Sequence, residues 1–171
     1  MTAVSARVTI AEVPPAARIV LRTDVPEEAG AALGLGLAAG IGGRDVAGGR
    51  SALRLGPDEW LVETPAGEAE AVLGALAGVA ARRALSAVEV SDREMSWRLE
   101  GPAVLDLLAT GCPRDLGRMP VGGGARTVFD TVEVVVVREG EERFQLTVWR
   151  SFAPHVRGLL ELAAREIAAG L

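Results

Sequence analysis

The order of apolar and polar residues along the chain predicts alternating strands and helices. Ala17 to Arg22 reads as a strand, and Pro26 to Ala39 as a helix whose first turn carries Glu27 and Glu28 at its positive end. Two short strands follow, Ser51 to Leu55 and Glu59 to Glu63, with the Gly56-Pro57 turn between them. A second helix is predicted from about Gly67 to Ala80, with Val72, Leu76, Val79 and Ala80 on one face, and Leu85 to Val90 is then a strand. The second half repeats this order in outline. Met95, Trp97 and Leu99 alternate with Ser96, Arg98 and Glu100, and Pro102 starts a helix carrying Val104, Leu105 and Leu108. A glycine-rich loop, Val121 to Gly124, leads to strands at Thr127 to Phe129, Val132 to Val137 and Arg143 to Trp149, the last two joined by a turn at Glu139-Gly140-Glu141. Phe152, Val156, Leu159, Leu160, Ala163 and Ile167 make an apolar stripe that predicts a final helix, with Ser151 as its N-cap.

Hairpins and helices mixed in each half indicate an α+β fold of largely antiparallel sheets covered by helices. A duplicated ferredoxin-like β-α-β-β-α-β arrangement fits the order best. The expected organisation is a single compact domain, 1–171, with a pseudo-repeat of 16–91 and 95–168. Its one plausible internal boundary, Ser91 to Glu94, lacks linker composition.

Composition narrows the chemistry. The 171 residues are 49% hydrophobic and 24% charged, which is globular, and the net charge of -5 with scattered basic residues argues against a nucleic-acid module. All 18 basic residues are arginine, and the chain has no Lys, Tyr or Asn. Schiff-base and pyridoxal chemistry and a phosphate-loop lysine are therefore excluded. One Cys and one His give little from which to build a metal site. The lone Cys112 excludes an intrachain disulfide and suits a reducing compartment. Met1 to Ala11 lacks the pattern of a secretion signal, and the longest uncharged stretch, Ala29 to Gly43, falls short of the ~20 apolar residues of a spanning helix. A cytoplasmic location is expected.

Few side chains stand out as chemical candidates. Gly34 to Ala39 satisfies the dinucleotide fingerprint on paper, but helical residues precede it where a strand is needed, so it reads as a helix end and exit loop. Cys112 would need a base to act as a nucleophile; with His155 near the start of the last helix, it reads as a small buried hydrophobe. Asp58 and Glu59 are adjacent, so on a strand they point to opposite faces and form no catalytic pair by themselves. Trp149 is different. Phe144, Leu146 and Val148 claim the core face of its strand, which places Trp149 on the other face beside Arg150 and Phe152, the composition of an interface anchor. Trp60, next to the Gly56-Pro57 turn, is a further candidate for partner contact or core packing.

Taken together, LGPDEWL (55–61), VSDREMSWRLEGPAVLDLLATGCPRDL (90–116) and FQLTVWRSFAPHV (144–156) resemble the gamma subunit of heterotetrameric sarcosine oxidase, in order and with similar spacing. The resemblance covers about residues 50 to 165. It implies a small chain of an alpha-beta-gamma-delta complex that oxidatively demethylates sarcosine to glycine. The complex's FAD, FMN, NAD and tetrahydrofolate would lie in partner subunits, and this chain would pack against the large alpha subunit. On this view Trp60, Trp149, Arg150 and Phe152 are candidate partner contacts, and the chain itself holds no catalytic, cofactor or metal residues. Val88 to Phe144 is also distantly similar to the folate-binding aminomethyltransferase domain, in which a paired aspartate works near folate. That pair falls here on Val132 and Glu133, which leaves Glu133 as a vestigial folate-site position. A freestanding folate-binding or aminomethyltransferase-like protein using Glu133 is the alternative.

Overall fold

Apolar positions repeated along the strands and apolar stripes along the helices can be buried together only by laying helices on sheets. A computed structural model of the chain, describing residues 3–4, 7–37 and 40–170, shows that arrangement twice. In chain order the elements are β1 (Ala3–Val4), β2 (Thr9–Glu12), β3 (Ala16–Thr23), α1 (Pro26–Leu33), β4 (Arg44–Ala47), β5 (Arg50–Arg54), β6 (Glu59–Pro65) and α2 (Ala69–Ala80). They continue with β7 (Leu85–Glu89), β8 (Glu94–Glu100), α3 (Val104–Ala109), β9 (Gly124–Phe129), β10 (Val132–Gly140), β11 (Arg143–Trp149) and α4 (Ala153–Ala169). The chain divides into two compact units, 15–91 and 1–14 with 92–171.

In the unit 15–91 the sheet order is β4-β5-β6-β3-β7, with antiparallel neighbours throughout. Without β4, the path β3-α1-β5-β6-α2-β7 is a ferredoxin-like β-α-β-β-α-β unit. Ile19 and Leu21 of β3 lie opposite Val62 and Trp60 of β6, and this row meets Ala29 and Leu33 of α1 and Val72 and Leu76 of α2 in one core. The spacing of two along the strands and of four along the helices is what brings these side chains to a common layer.

The second unit has the sheet order β1-β2-β8-β11-β10-β9, again antiparallel. Here β8-α3-β10-β11-α4 supplies all of a ferredoxin-like unit but its last strand. That place, beside β8, is taken by β2 from the other end of the chain, with Ile10 opposite Leu99. Trp97, Leu99, Phe144, Leu146 and Val148 pack with Leu107 and Leu108 of α3 and Val156 and Leu160 of α4. The duplicated ferredoxin-like fold expected from the sequence is present. Among the described residues no helix is long and apolar enough to cross a membrane.

Several boundaries differ from expectation, each for a local reason. The helix expected to run to Ala39 ends at Leu33, because Gly34 adopts φ 66° and its N–H, with that of Leu35, caps the last carbonyls; Ala38 and Ala39 lie outside the described residues. Ser151 does not cap α4: Phe152 holds that position and no side chain caps it. Pro102 lies in the turn before α3, and on α3 the buried residues are Val104, Leu107 and Leu108, while Leu105 is exposed. The sequence pattern predicts no strand at β1, β2 or β4. β4 pairs with β5 through Gly48 and Gly49, whose φ values of 57° and 79° suit a tight two-residue hairpin.

Candidate functional site

The Gly56-Pro57 segment turns the chain between β5 and β6. Leu55 and Gly56 donate their N–H groups to the Glu59 carbonyl at 2.8 and 3.2 Å, and Arg54 reaches the carbonyls of Gly56 and Pro57. The same guanidinium lies 4.9 Å from the ring centre of Trp60. Trp60 itself is 1% exposed, inside the core of its unit, and presents no surface to a partner. Asp58 and Glu59, expected to point apart, both meet Arg22: Asp58 precedes the strand and is free to turn back, so its Oδ2 lies 3.6 Å from Arg22 and the Glu59 Oε2 2.9 Å. Those two carboxylates, Glu59 first, hold the Arg22 guanidinium in its protonated form by raising its pKa.

The second cluster gathers at the end of β11. Trp149 is 43% exposed and Phe152 45% exposed. Between them Arg150 is pinned twice to the short 3-10 turn Ser91–Arg93: its backbone N–H donates to the Arg93 carbonyl at 2.7 Å, and its Nε to the Asp92 carbonyl at 2.8 Å. The Phe152 N–H closes the turn onto the Trp149 carbonyl at 2.9 Å. Arg93, which the sequence reading did not select, lies 5.0 Å from the Trp149 ring centre and pairs with the largely buried Glu94. Nothing local in the sequence announces that contact. It follows from the pairing of β8 with β11, which sets Glu94 opposite Trp149.

The remaining candidates are dispersed. Cys112 is buried, its Sγ 3.8 Å from the Thr127 hydroxyl, while His155 directs Nε2 toward Asp130 Oδ2 at 3.5 Å. Bonds from the Thr131 backbone and hydroxyl, then from His155, lower the pKa of Asp130. Val132 faces the core at 6% exposure. Glu133 is exposed on β10 and lies 3.6 Å from Arg126 Nε. A surface depression of about 260 Å3 opens beside Arg44, Ser51, Glu63 and Thr64 and includes none of the residues selected from the sequence. Among the described residues no cluster of three or more His, Cys, Asp or Glu could hold a metal ion.

Comparison with known proteins follows the same lines as the fold. The family described as "Sarcosine oxidase, gamma subunit family" matches residues 23–166. The sarcosine oxidase subunit gamma of Corynebacterium sp. (strain U-96) is 32% identical, over 94% of this chain and 83% of its own length. Among solved structures, a chain of the heterotetrameric sarcosine oxidase from Corynebacterium sp. U-96, in complex with pyrrole 2-carboxylate, superposes with a TM-score of 0.87 at 28% identity. That match covers 97% of this chain and 88% of the other. The glycine cleavage system aminomethyltransferase T from Bartonella henselae shares the fold, with a TM-score of 0.67 at 16% identity over 95% of this chain and 50% of its own.

Proposed function

The chain belongs to the sarcosine oxidase gamma subunit family, and from that premise we propose that it is the gamma subunit of a heterotetrameric sarcosine oxidase, a non-catalytic chain packed against the large alpha subunit. On this reading the complex demethylates sarcosine oxidatively to glycine in the cytoplasm, with tetrahydrofolate as one-carbon acceptor. FAD, FMN, NAD and tetrahydrofolate belong to the partner subunits. The observation that carries the reading is the continuity of the likeness: sequence and fold agree over nearly the whole chain, not over one motif.

The side chains support a structural role. Lysine and tyrosine, two common proton carriers and nucleophiles, are missing from the sequence. The one imidazole is engaged with Asp130, and the one thiol is buried against Thr127. At the position that resembles the folate-site pair, a buried valine and a surface glutamate ion-paired to Arg126 replace the two aspartates. What the chain offers instead is a surface. Trp149, Arg150 and Phe152 are our candidates for the contact with the alpha subunit.

Co-expression with the alpha, beta and delta subunits tests the reading directly. Co-purification of this chain with them, a flavin absorbance spectrum from the complex, none from the isolated chain, and sarcosine-dependent oxygen uptake are the expected results. A chain that remains outside the assembly overturns the proposal. Calorimetric titration of the isolated chain with tetrahydrofolate is expected to give no binding heat; saturable heat abolished by Glu133→Ala would favour the folate-binding alternative.

A further inference from the structure

We propose that Trp149, Phe152 and Arg150 form an anchor that receives an apolar side chain and a neighbouring carboxylate of the alpha subunit. The inference rests on the gamma-subunit reading and adds the chemistry of the partner to it. It begins from a sorting of aromatic residues. The chain has three Trp, three Phe and no Tyr. Trp60, Trp97, Phe129 and Phe144 are at most 1% exposed, whereas Trp149 and Phe152 are 43% and 45% exposed. The two open ones stand three residues apart on one turn, from β11 into α4. Among the described residues every other exposed large apolar side chain is aliphatic. Aromatics bury large areas with few rotatable bonds, and Trp and Arg dominate the energetic centres of protein interfaces.

The turn that carries them is already ordered. Arg150 is held at both its backbone and its Nε by carbonyls of the 91–93 turn, Phe152 is held by the Trp149 carbonyl, and Arg93 stacks on Trp149. A surface fixed before binding loses little conformational freedom when a partner arrives. Charge then indicates what arrives. Arg93 is matched by Glu94, but Asp92 gives Arg150 its carbonyl and not its carboxylate, and among the described residues no carboxylate forms an ion pair with Arg150. A carboxylate from the partner complements this oriented guanidinium beside the apolar rings. A single unmatched cation next to Asp92 is too little for nucleic acid or an anionic membrane, which need a basic cluster.

The test uses the alpha, beta and delta subunits purified without this chain and titrated with wild type and variants, with binding followed by biolayer interferometry. Circular dichroism verifies that each variant is folded, as expected for substitutions of exposed side chains. Trp149→Ala and Phe152→Ala should each raise Kd roughly 10-fold or more. Arg150→Glu should weaken binding more than Arg150→Gln, and added salt should weaken the wild type more than Arg150→Gln. Val88→Ser, on strand β7, should bind as the wild type does. Wild-type affinity in both aromatic variants, undiminished binding by Arg150→Glu, or an equal loss in Val88→Ser would each overturn the anchor while leaving the gamma-subunit reading intact. Failure of the wild type to bind the other subunits overturns both.

Discussion

At the scale of single residues, backbone space decides the sharpest predictions. Gly101 has φ 138°, and a β-carbon there would lie 2.3 Å from the Arg7 carbonyl oxygen. Gly101→Ala therefore forces the N-terminal segment away from the turn before α3 and should cost about 2–4 kcal/mol in urea denaturation. An unchanged midpoint would refute this account of the glycine. Glu68 gives a prediction in pH. Its carboxylate accepts bonds from Arg50 Nε at 3.0 Å and Nη2 at 2.8 Å and from the Thr64 hydroxyl at 3.0 Å. These bonds, Arg50 first and Thr64 second, lower its pKa from the usual 4.5. A depressed carboxylate pKa contributes stability that is complete above the unfolded value and is lost as the pH falls through the folded one. The stability difference between wild type and Glu68→Gln should thus shrink below about pH 4.5; a constant difference across that range would show that the ion pair contributes nothing. The position of Trp149 is legible at this scale too, since alternation along β11 assigns it to the face away from Phe144, Leu146 and Val148. Its stacking with Arg93 is not, because the two residues are far apart in sequence and meet only through strand pairing.

Among the elements, helices and hairpins carry their own tests. Gly74 is an exposed interior residue of α2 with open space where a β-carbon would lie. Gly74→Ala should raise stability by about 0.5–1 kcal/mol, by removing backbone freedom from the unfolded chain. A lower thermal midpoint would contradict it. Arg138, 7% exposed, joins two elements: its guanidinium donates to the carbonyls of Gly117 and Met119 in the loop before β9, and to Gly140 and Glu141 in the β10–β11 hairpin. Arg138→Ala removes all four bonds, leaves the buried Met119 carbonyl without this donor, and should destabilise by about 2–4 kcal/mol. Lysine should recover only part of this, having no planar fork to reach both loops; full recovery by Arg138→Lys would show that charge alone matters. Strands β3, β6, β8, β10 and β11 were legible because each holds a run of alternating or continuous apolar residues. β2 and β4 are four residues each and mixed in polarity, so their pairing with β8 and β5 supplies what their sequence does not.

For the whole molecule, the path of the chain is the central fact. The unit formed by 1–14 and 92–171 takes β2 from before the unit 15–91, so it is complete only when the chain has crossed between the units twice. We accordingly propose that the chain unfolds as a single domain. Far-ultraviolet dichroism and tryptophan fluorescence, with Trp60 in one unit and Trp97 and Trp149 in the other, should report coincident denaturation curves; separated transitions would show independent domains. The sequence by itself determined the order of the helices and of the strands other than β1, β2 and β4, the duplicated α+β class and the family. Those depend on local periodicity, turn chemistry and ordered motifs such as GPDEW and WRSFA, all written in neighbouring residues. It also removed lysine and tyrosine chemistry outright. Only the tertiary structure decided which tryptophan is a core residue and which a surface one. Trp60 and Trp149 both stand on strands beside arginines. Yet Trp60 shares a core with Val72 and Leu76 of α2, whereas Trp149 sits at a strand end that nothing in its unit covers completely. Exposure depends on what packs over a face, and that is set by residues distant in sequence.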